Sequence, residues 1–82
     1  MKSLAREYAD RGLLANVVSP GPTDTPMADK MGERRQYYEK VIPVGRFNQA
    51  AEVASVVTWL LADAPDTITG TVIDIDGGLV RR

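Results

Sequence analysis

Eighty-two residues with 44% hydrophobic and 26% charged side chains have the balance of one small globular domain, not of a disordered chain. A net charge of -1 with no Cys and no His excludes disulfides, thiol nucleophiles, Ser-His pairs and the commonest metal ligands, and leaves no electrostatic footprint for nucleic acid or an anionic membrane. No apolar run reaches the length of a bilayer span and no signal-peptide pattern opens the chain, so the expectation is a soluble, cytoplasmic protein without nucleic-acid or membrane partners.

Met1, Leu4, Ala5 and Tyr8 fall at helical spacing, and Gly12 stands where a C-terminal cap belongs. No capping residue precedes the first apolar position, which predicts that the sequence starts inside a longer helix. Leu13 to Ser19 reads as a strand whose nearly continuous apolar residues fit a parallel sheet buried on both faces. Pro20 has no N–H to donate, so the strand is expected to stop at Ser19. A loop rich in proline follows at the strand's carboxyl end, the edge at which open α/β sheets bind ligands. Gly21 lets a backbone approach a ligand closely, and Thr23 and Thr25 carry hydroxyls that donate or accept. The same residues also suit a plain strand-to-helix connection. Thr25-Pro26 then reads as an N-cap and first helical position.

From Pro26 to Ile42 the pattern weakens into short helical pieces, Met27 to Met31 and about Glu33 to Val41, separated by Gly32. Such a segment is either a lid over a substrate or a surface connection. Of the adjacent Tyr37 and Tyr38, at most one faces a substrate. Arg34 and Arg35, like Arg81 and Arg82, read as solvated surface. Pro43 to Phe47 is a turn in which Arg46 is expected to donate to nearby carbonyls.

The strongest helix spans about Gln49 to Asp63, with an apolar stripe of Val53, Val56, Val57, Leu60 and Leu61. Asn48 or Gln49 caps it, and Glu52 complements the dipole of its first turn. Trp59 lies off the stripe's centre and suits either a second contact surface or partial burial. After a loop from Ala64 to Thr69, Thr71 to Ile75 is a β-branched strand ended by Asp76-Gly77-Gly78. That run is a turn and not a phosphate cradle, since no helix follows to supply amides. Asp74 and Asp76 share a face, but with no third ligand beside them they read as strand-end residues, and no metal site is predicted. Strand, crossover helix and strand make a βαβ unit, expected to be parallel and right-handed.

The series Ala5-Arg-Glu-Tyr-Ala-Asp-Arg-Gly-Leu-Leu-Ala-Asn-Val-Val-Ser-Pro-Gly21, Thr25, Val44-Gly-Arg-Phe47, Glu52-Val-Ala54, Trp59-Leu-Leu-Ala-Asp63 and Ile68-Thr-Gly70 with Ile75-Asp-Gly-Gly78 resembles the carboxyl-terminal part of a short-chain dehydrogenase/reductase. The resemblance implies an α/β fold: residues 1–82 as part of one Rossmann-type, doubly wound parallel-sheet domain, with two parallel strands and their crossover helices. It implies hydride transfer between NAD or NADP and a small-molecule alcohol or carbonyl substrate. Carried over residue by residue, Pro20 and Gly21 match the motif's Pro-Gly, Thr23 makes a backbone contact to the nicotinamide carboxamide, and the Thr25 hydroxyl binds the cofactor. Thr23 replaces the usual Val or Ile, which that main-chain contact tolerates.

The family's acid/base pair is a Tyr with Lys four residues on. Tyr8, Tyr37 and Tyr38 are instead followed at that spacing by Gly12, Val41 and Ile42. The resemblance therefore places no catalytic residue here and implies that this stretch alone is inactive, with the family's Tyr and Lys expected just upstream of Met1. It also implies a homo-oligomer formed through the Gln49–Asp63 helix and the last strand. The alternative is a standalone, non-catalytic oligomerisation or interaction module derived from the same fold. Nothing in the sequence separates NAD from NADP, because the position that reads the ribose lies near the fold's second strand.

Overall fold

Two parallel ladders organise residues 2–80, the part of the chain described by the computed structural model. The first joins β1 (Val17–Pro20) to β4 (Val72–Ile75), in the register Val17 to Val72 through Pro20 to Ile75. The second is a short pair between β2 (Thr23–Asp24) and β3 (Asn48–Gln49). Both the parallel pairing and the βαβ order agree with the sequence reading.

The first strand is shifted from its expected place, and each end has a local cause. Gly12 and Leu13 close the preceding helix: the Gly12 amide donates to the Ala9 carbonyl at 3.1 Å and the Leu13 amide to the Tyr8 carbonyl at 3.2 Å. This is a Schellman cap, which takes Leu13 out of the strand. Ala15 and Asn16 are tied by side chains instead of ladder bonds. The Ala15 amide donates to Thr69 Oγ1, while Asn16 donates to the Ile68 carbonyl and accepts from the Thr71 amide. At the other end the strand includes Pro20. Only alternate residues donate to a given neighbour in the ladder, and the amides of Val17 and Gly21 do so, each at 2.9 Å. Pro20 falls between them, where its missing N–H costs nothing.

Ahead of this strand, α1 (Lys2–Tyr8) runs into a 3-10 turn over Ala9–Arg11. Met1, Arg81 and Arg82, to which the sequence reading also assigned places, lie outside the described residues. No helix begins at Thr25-Pro26. The Thr25 carbonyl accepts the Ala28 amide at 2.9 Å, and a 3-10 turn over Ala28–Met31 starts from Met27 without a side-chain cap. After Gly32, α2 covers Glu33–Val41. The main helix, α3 (Ala50–Ala62), has a full capping box: the Gln49 side chain takes an amide of the first turn, and Glu52 takes the Gln49 amide at 2.8 Å.

The core is small. Ala28, Ile42 and Phe47 are buried, with Met31, Tyr38 and Leu79 packed against them. Gly77 belongs to this packing: at a φ of 65°, a Cβ there would lie 2.7 Å from the Ile42 side chain. By contrast α3 has no buried residue, and Leu61 is 84% exposed with Val57 and Trp59 also open. The β1 residues are half-buried or exposed, so the burial on both faces expected from their continuous apolar run is not met within the described residues. No helix among them is long and apolar enough to cross a membrane.

Candidate functional site

Because β1 and β4 are parallel, their carboxyl ends share one edge, and the chain leaving β1 crosses that edge. Pro20 is exposed at the strand end. Gly21 packs on the end of β4: its amide donates to the Ile75 carbonyl, and a Cβ on it would stand 2.7 Å from Cβ and 3.1 Å from Cα of Asp76. The close approach that requires glycine here is by the protein's own chain. Thr23 then folds back, its Oγ1 donating to the Gly21 carbonyl at 2.9 Å. Thr25 is exposed and its hydroxyl has no hydrogen-bond partner among the described residues.

The loop forms one wall of an open groove of about 530 Å³. It is lined by Pro22, Thr23 and Thr25 of the loop, Met31 of the 3-10 turn, Arg34 and Tyr38 of α2, and Phe47 and Leu79. The groove brings Thr23 and Thr25 together, while Pro20 and Gly21 stand outside it. Of the tyrosine pair, Tyr38 lines the groove. Tyr37 is 62% exposed and meets Tyr38 edge-on, with ring centroids 5.6 Å apart.

Two residues that support this loop escaped the sequence reading. Asn48 is buried, donates its side-chain amide to the Ile75 carbonyl, and donates its backbone amide to the Pro22 carbonyl at 2.9 Å. It joins the end of β4 to the loop leaving β1, a role that its candidacy as a helix cap did not foretell. Arg35 is not solvated surface but 26% exposed. Its guanidinium reaches Asp24 at 3.1 Å, Asp29 at 3.2 Å and Glu39 at 3.2 Å, and lies 4.8 Å over the Phe47 ring. The Arg35 hydrogen bond holds the Asp24 carboxyl below the usual carboxylate range, and Asp24 in turn raises the Arg35 pKa. Only the Arg35–Glu39 link, at i,i+4 spacing, carried a signal in the sequence.

Arg46 meets the expectation of a structural donor, reaching the Phe47 carbonyl at 3.1 Å, and also grips Glu52 with both terminal nitrogens at 2.7 and 3.0 Å. Asp76 is buried in the turn, where one carboxylate oxygen accepts the Gly78 amide and the other the Val80 amide, each at 3.0 Å. Among the described residues no group of Asp, Glu, His and Cys side chains has the arrangement to hold a metal ion.

Comparison with known proteins gives a consistent answer. A family profile described as enoyl-(acyl carrier protein) reductase matches residues 1–80. The 3-oxoacyl-[acyl-carrier-protein] reductase FabG of Thermotoga maritima is 45% identical over 80 residues, which are 96% of this chain and 32% of that protein. 3beta-hydroxysteroid dehydrogenase 1 of Eggerthella lenta is 41% identical over 81 residues, 95% of this chain and 31% of that one. The crystal structure of 3-oxoacyl-[acyl-carrier protein] reductase from Brucella melitensis superposes with a TM-score of 0.89 at 37% identity, covering 95% of this chain and 30% of the other. A crystal structure from Agrobacterium tumefaciens with bound NADP gives 0.87 at 28% identity, covering 95% and 33%. The chain spans about a third of the length of the curated relatives it matches. With its parallel β1–β4 pair, its Pro-Gly loop and a profile match over nearly every residue, the chain belongs to the short-chain dehydrogenase/reductase family.

Proposed function

We propose that residues 1–82 form the carboxyl-terminal part of a Rossmann-type domain in an NAD(P)(H)-dependent oxidoreductase acting on a small-molecule alcohol or carbonyl. In this reading the stretch contributes the nicotinamide side of the cofactor site and no catalytic Tyr or Lys. The observation that carries it is the open groove at the sheet's carboxyl edge, whose lining holds Thr23 and a Thr25 hydroxyl without a partner among the described residues. A nicotinamide carboxamide has both a donor and an acceptor. The groove offers it a hydroxyl able to serve either, a largely apolar lining that includes one cation, Arg34, and no lining carboxylate. A nicotinamide held there would give hydride to the carbonyl substrate, or take it from the alcohol. Thr25 holds the carboxamide, Thr23 presents its main chain, and Pro20 and Gly21 set the path of the loop at the strand end.

The test is a chimera in which residues 1–80 replace the matching third of the Thermotoga maritima reductase, assayed with NADH and NADPH. Retained reductase activity is expected, and a folded but inactive chimera overturns the reading. The 82-residue chain titrated by itself with either cofactor is expected neither to bind tightly nor to turn it over.

The open apolar side of α3 that holds Val57 and Leu61, one turn apart, favours a second element in the same proposal: a homo-oligomer in which a partner covers that side, Trp59 being exposed on the opposite side of the helix. It also keeps a second reading in view, a non-catalytic interaction module. Concentration-dependent assembly by the chain alone, coupled to an inactive chimera, would favour the module. The cysteine-free sequence agrees with a reducing compartment, and the cytoplasm is the proposed location.

A further inference from the structure

We propose that Arg35 is a positioning residue that clamps the segment Ala28–Val41 to the loop bearing Thr23 and Thr25, so that the seating of this segment sets the placement of the cofactor-facing hydroxyl. Arg35 lies on α2, which lines the groove through Arg34 and Tyr38, and it reaches Asp24, which stands between the two threonines on the loop, at 3.1 Å. Asp29, in the 3-10 turn that leads from one wall to the other, takes the same nitrogen of the fork, and Glu39 fixes the Nε from within α2. The guanidinium plane rests on Phe47, which is buried in the core and precedes Asn48, the residue that pins Pro22.

A single exposed ion pair does little to fix a chain, because water and salt screen it and long side chains lose entropy in forming it. Arg35 differs in three respects. Its charge is shared by Asp24 on the loop, Asp29 in the 3-10 turn and Glu39 in its own helix, its planar fork holds them in fixed directions, and its guanidinium lies 4.8 Å over the ring of buried Phe47. If α2 lifts away, Asp24 loses its Arg35 partner, and the loop between Gly21 and Ala28 keeps the short β2–β3 pairing with the Asn48 amide on the Pro22 carbonyl, and its own bonds, Thr23 to the Gly21 carbonyl and Ala28 to the Thr25 carbonyl. Position on one wall is thereby coupled to position on the other.

The proposal rests on the preceding reading only for what Thr23 and Thr25 bind, and its test contains no cofactor, so the two fail separately. Hydrogen exchange of the intact chain reports the clamp. The probes are the amides of Ala28 and Asn48, which close the loop, with Val17 in the β1–β4 ladder as the control. Arg35→Met keeps an aliphatic stem on Phe47 and removes the charge, and is expected to speed exchange at Ala28 and Asn48 at least ten-fold while Val17 changes less than two-fold. Arg35→Lys keeps the charge but loses the fork and the flat face, and is expected to restore only part of that protection, which a role in packing alone would not require. Should Arg35→Met fail to fold, a salt series on the unmodified chain replaces it, with several-fold faster exchange at Ala28 and Asn48 in 1 M NaCl expected. Loop amides insensitive to Arg35→Met, equally fast in the Lys variant, or indifferent to salt where the series is used, would overturn the clamp.

Discussion

Gly21 faces Asp76 across the carboxyl ends of the two strands so closely that a methyl group on the glycine would stand 2.7 Å from the aspartate Cβ. The neighbour cannot swing aside, because Asp76 Cα is itself 3.1 Å from the same point and both carboxylate oxygens are bonded to the turn. Gly21→Ala is therefore expected to cost ~1–3 kcal/mol, the range for overpacking a site that cannot yield. Urea unfolding measures it. An unchanged midpoint would show that the strand ends separate freely.

Asn48 gives a second prediction, of graded severity. Its amide is the donor to the Ile75 carbonyl, which also accepts from Gly21. Asn48→Ala removes that donor and is expected to cost ~0.5–1.5 kcal/mol, the net worth of one hydrogen bond, because the Ile75 carbonyl keeps the Gly21 amide. Asn48→Asp should be worse at neutral pH, since a carboxylate cannot donate and would bring a charge up to a carbonyl oxygen. The comparison of the two midpoints at pH 7 is the measurement, and an Asp variant as stable as wild type would refute the bond's importance.

These two positions show where sequence reasoning reached and where it stopped. Element types were legible from local rules: apolar spacing for α3, β-branching for β4, the Gln49–Glu52 cap, and glycines at the turns. The parallel pairing followed from the strand–crossover–strand chain order and the continuous apolar run of the first strand, although the burial expected of that run is not met among the described residues. Other features depend on residues far apart. Leu13 is lost from β1 to a helix cap, and Asn16 replaces ladder bonds with side-chain bonds to a loop more than fifty residues away. Gly21 was expected to admit a ligand, yet its neighbour is Asp76. Arg35 looked like one of a solvated pair, because Asp24, Asp29 and Phe47 meet it only once the segment between β2 and β3 has folded back. Thr23 and Thr25 are legible as hydroxyls in a loop at a strand's carboxyl end, their cofactor roles only through family motifs, and the spatial fact added to them is the groove they share with Tyr38.

The Arg46–Glu52 pair makes a prediction about acid. Donation from Arg46, followed by the Gln49 amide, holds the Glu52 carboxyl down to about 2 from its ordinary 4.5. A carboxylate with a lower pKa in the folded than in the unfolded state stabilises fully above the unfolded value and loses that contribution as the pH falls through the folded one. The contribution is thus complete above about pH 4.5 and is lost toward pH 2. Glu52→Gln should lower stability at pH 7, and the difference from wild type should shrink steadily across that window. Both side chains are well exposed, so the effect should be modest and weaker in high salt. Unfolding midpoints at several pH values test this, and a difference that grows on acidification would reverse the assignment.

Thr25 separates binding from stability. Its side chain is exposed and makes no hydrogen bond among the described residues, so Thr25→Ala should leave the unfolding midpoint within about 0.5 kcal/mol, as for an ordinary surface change. If its hydroxyl holds the nicotinamide carboxamide, the same change in the chimeric reductase removes one neutral hydrogen bond. That is worth about 0.5–1.5 kcal/mol, or roughly two- to twelve-fold in cofactor affinity. Thr25→Ser keeps the hydroxyl and should restore affinity, whereas loss of a methyl contact would leave both variants impaired. Cofactor titration followed by nicotinamide fluorescence distinguishes the two. Equal affinity in Thr25→Ala and wild type would remove Thr25 from the site and leave the loop's main chain as the contact.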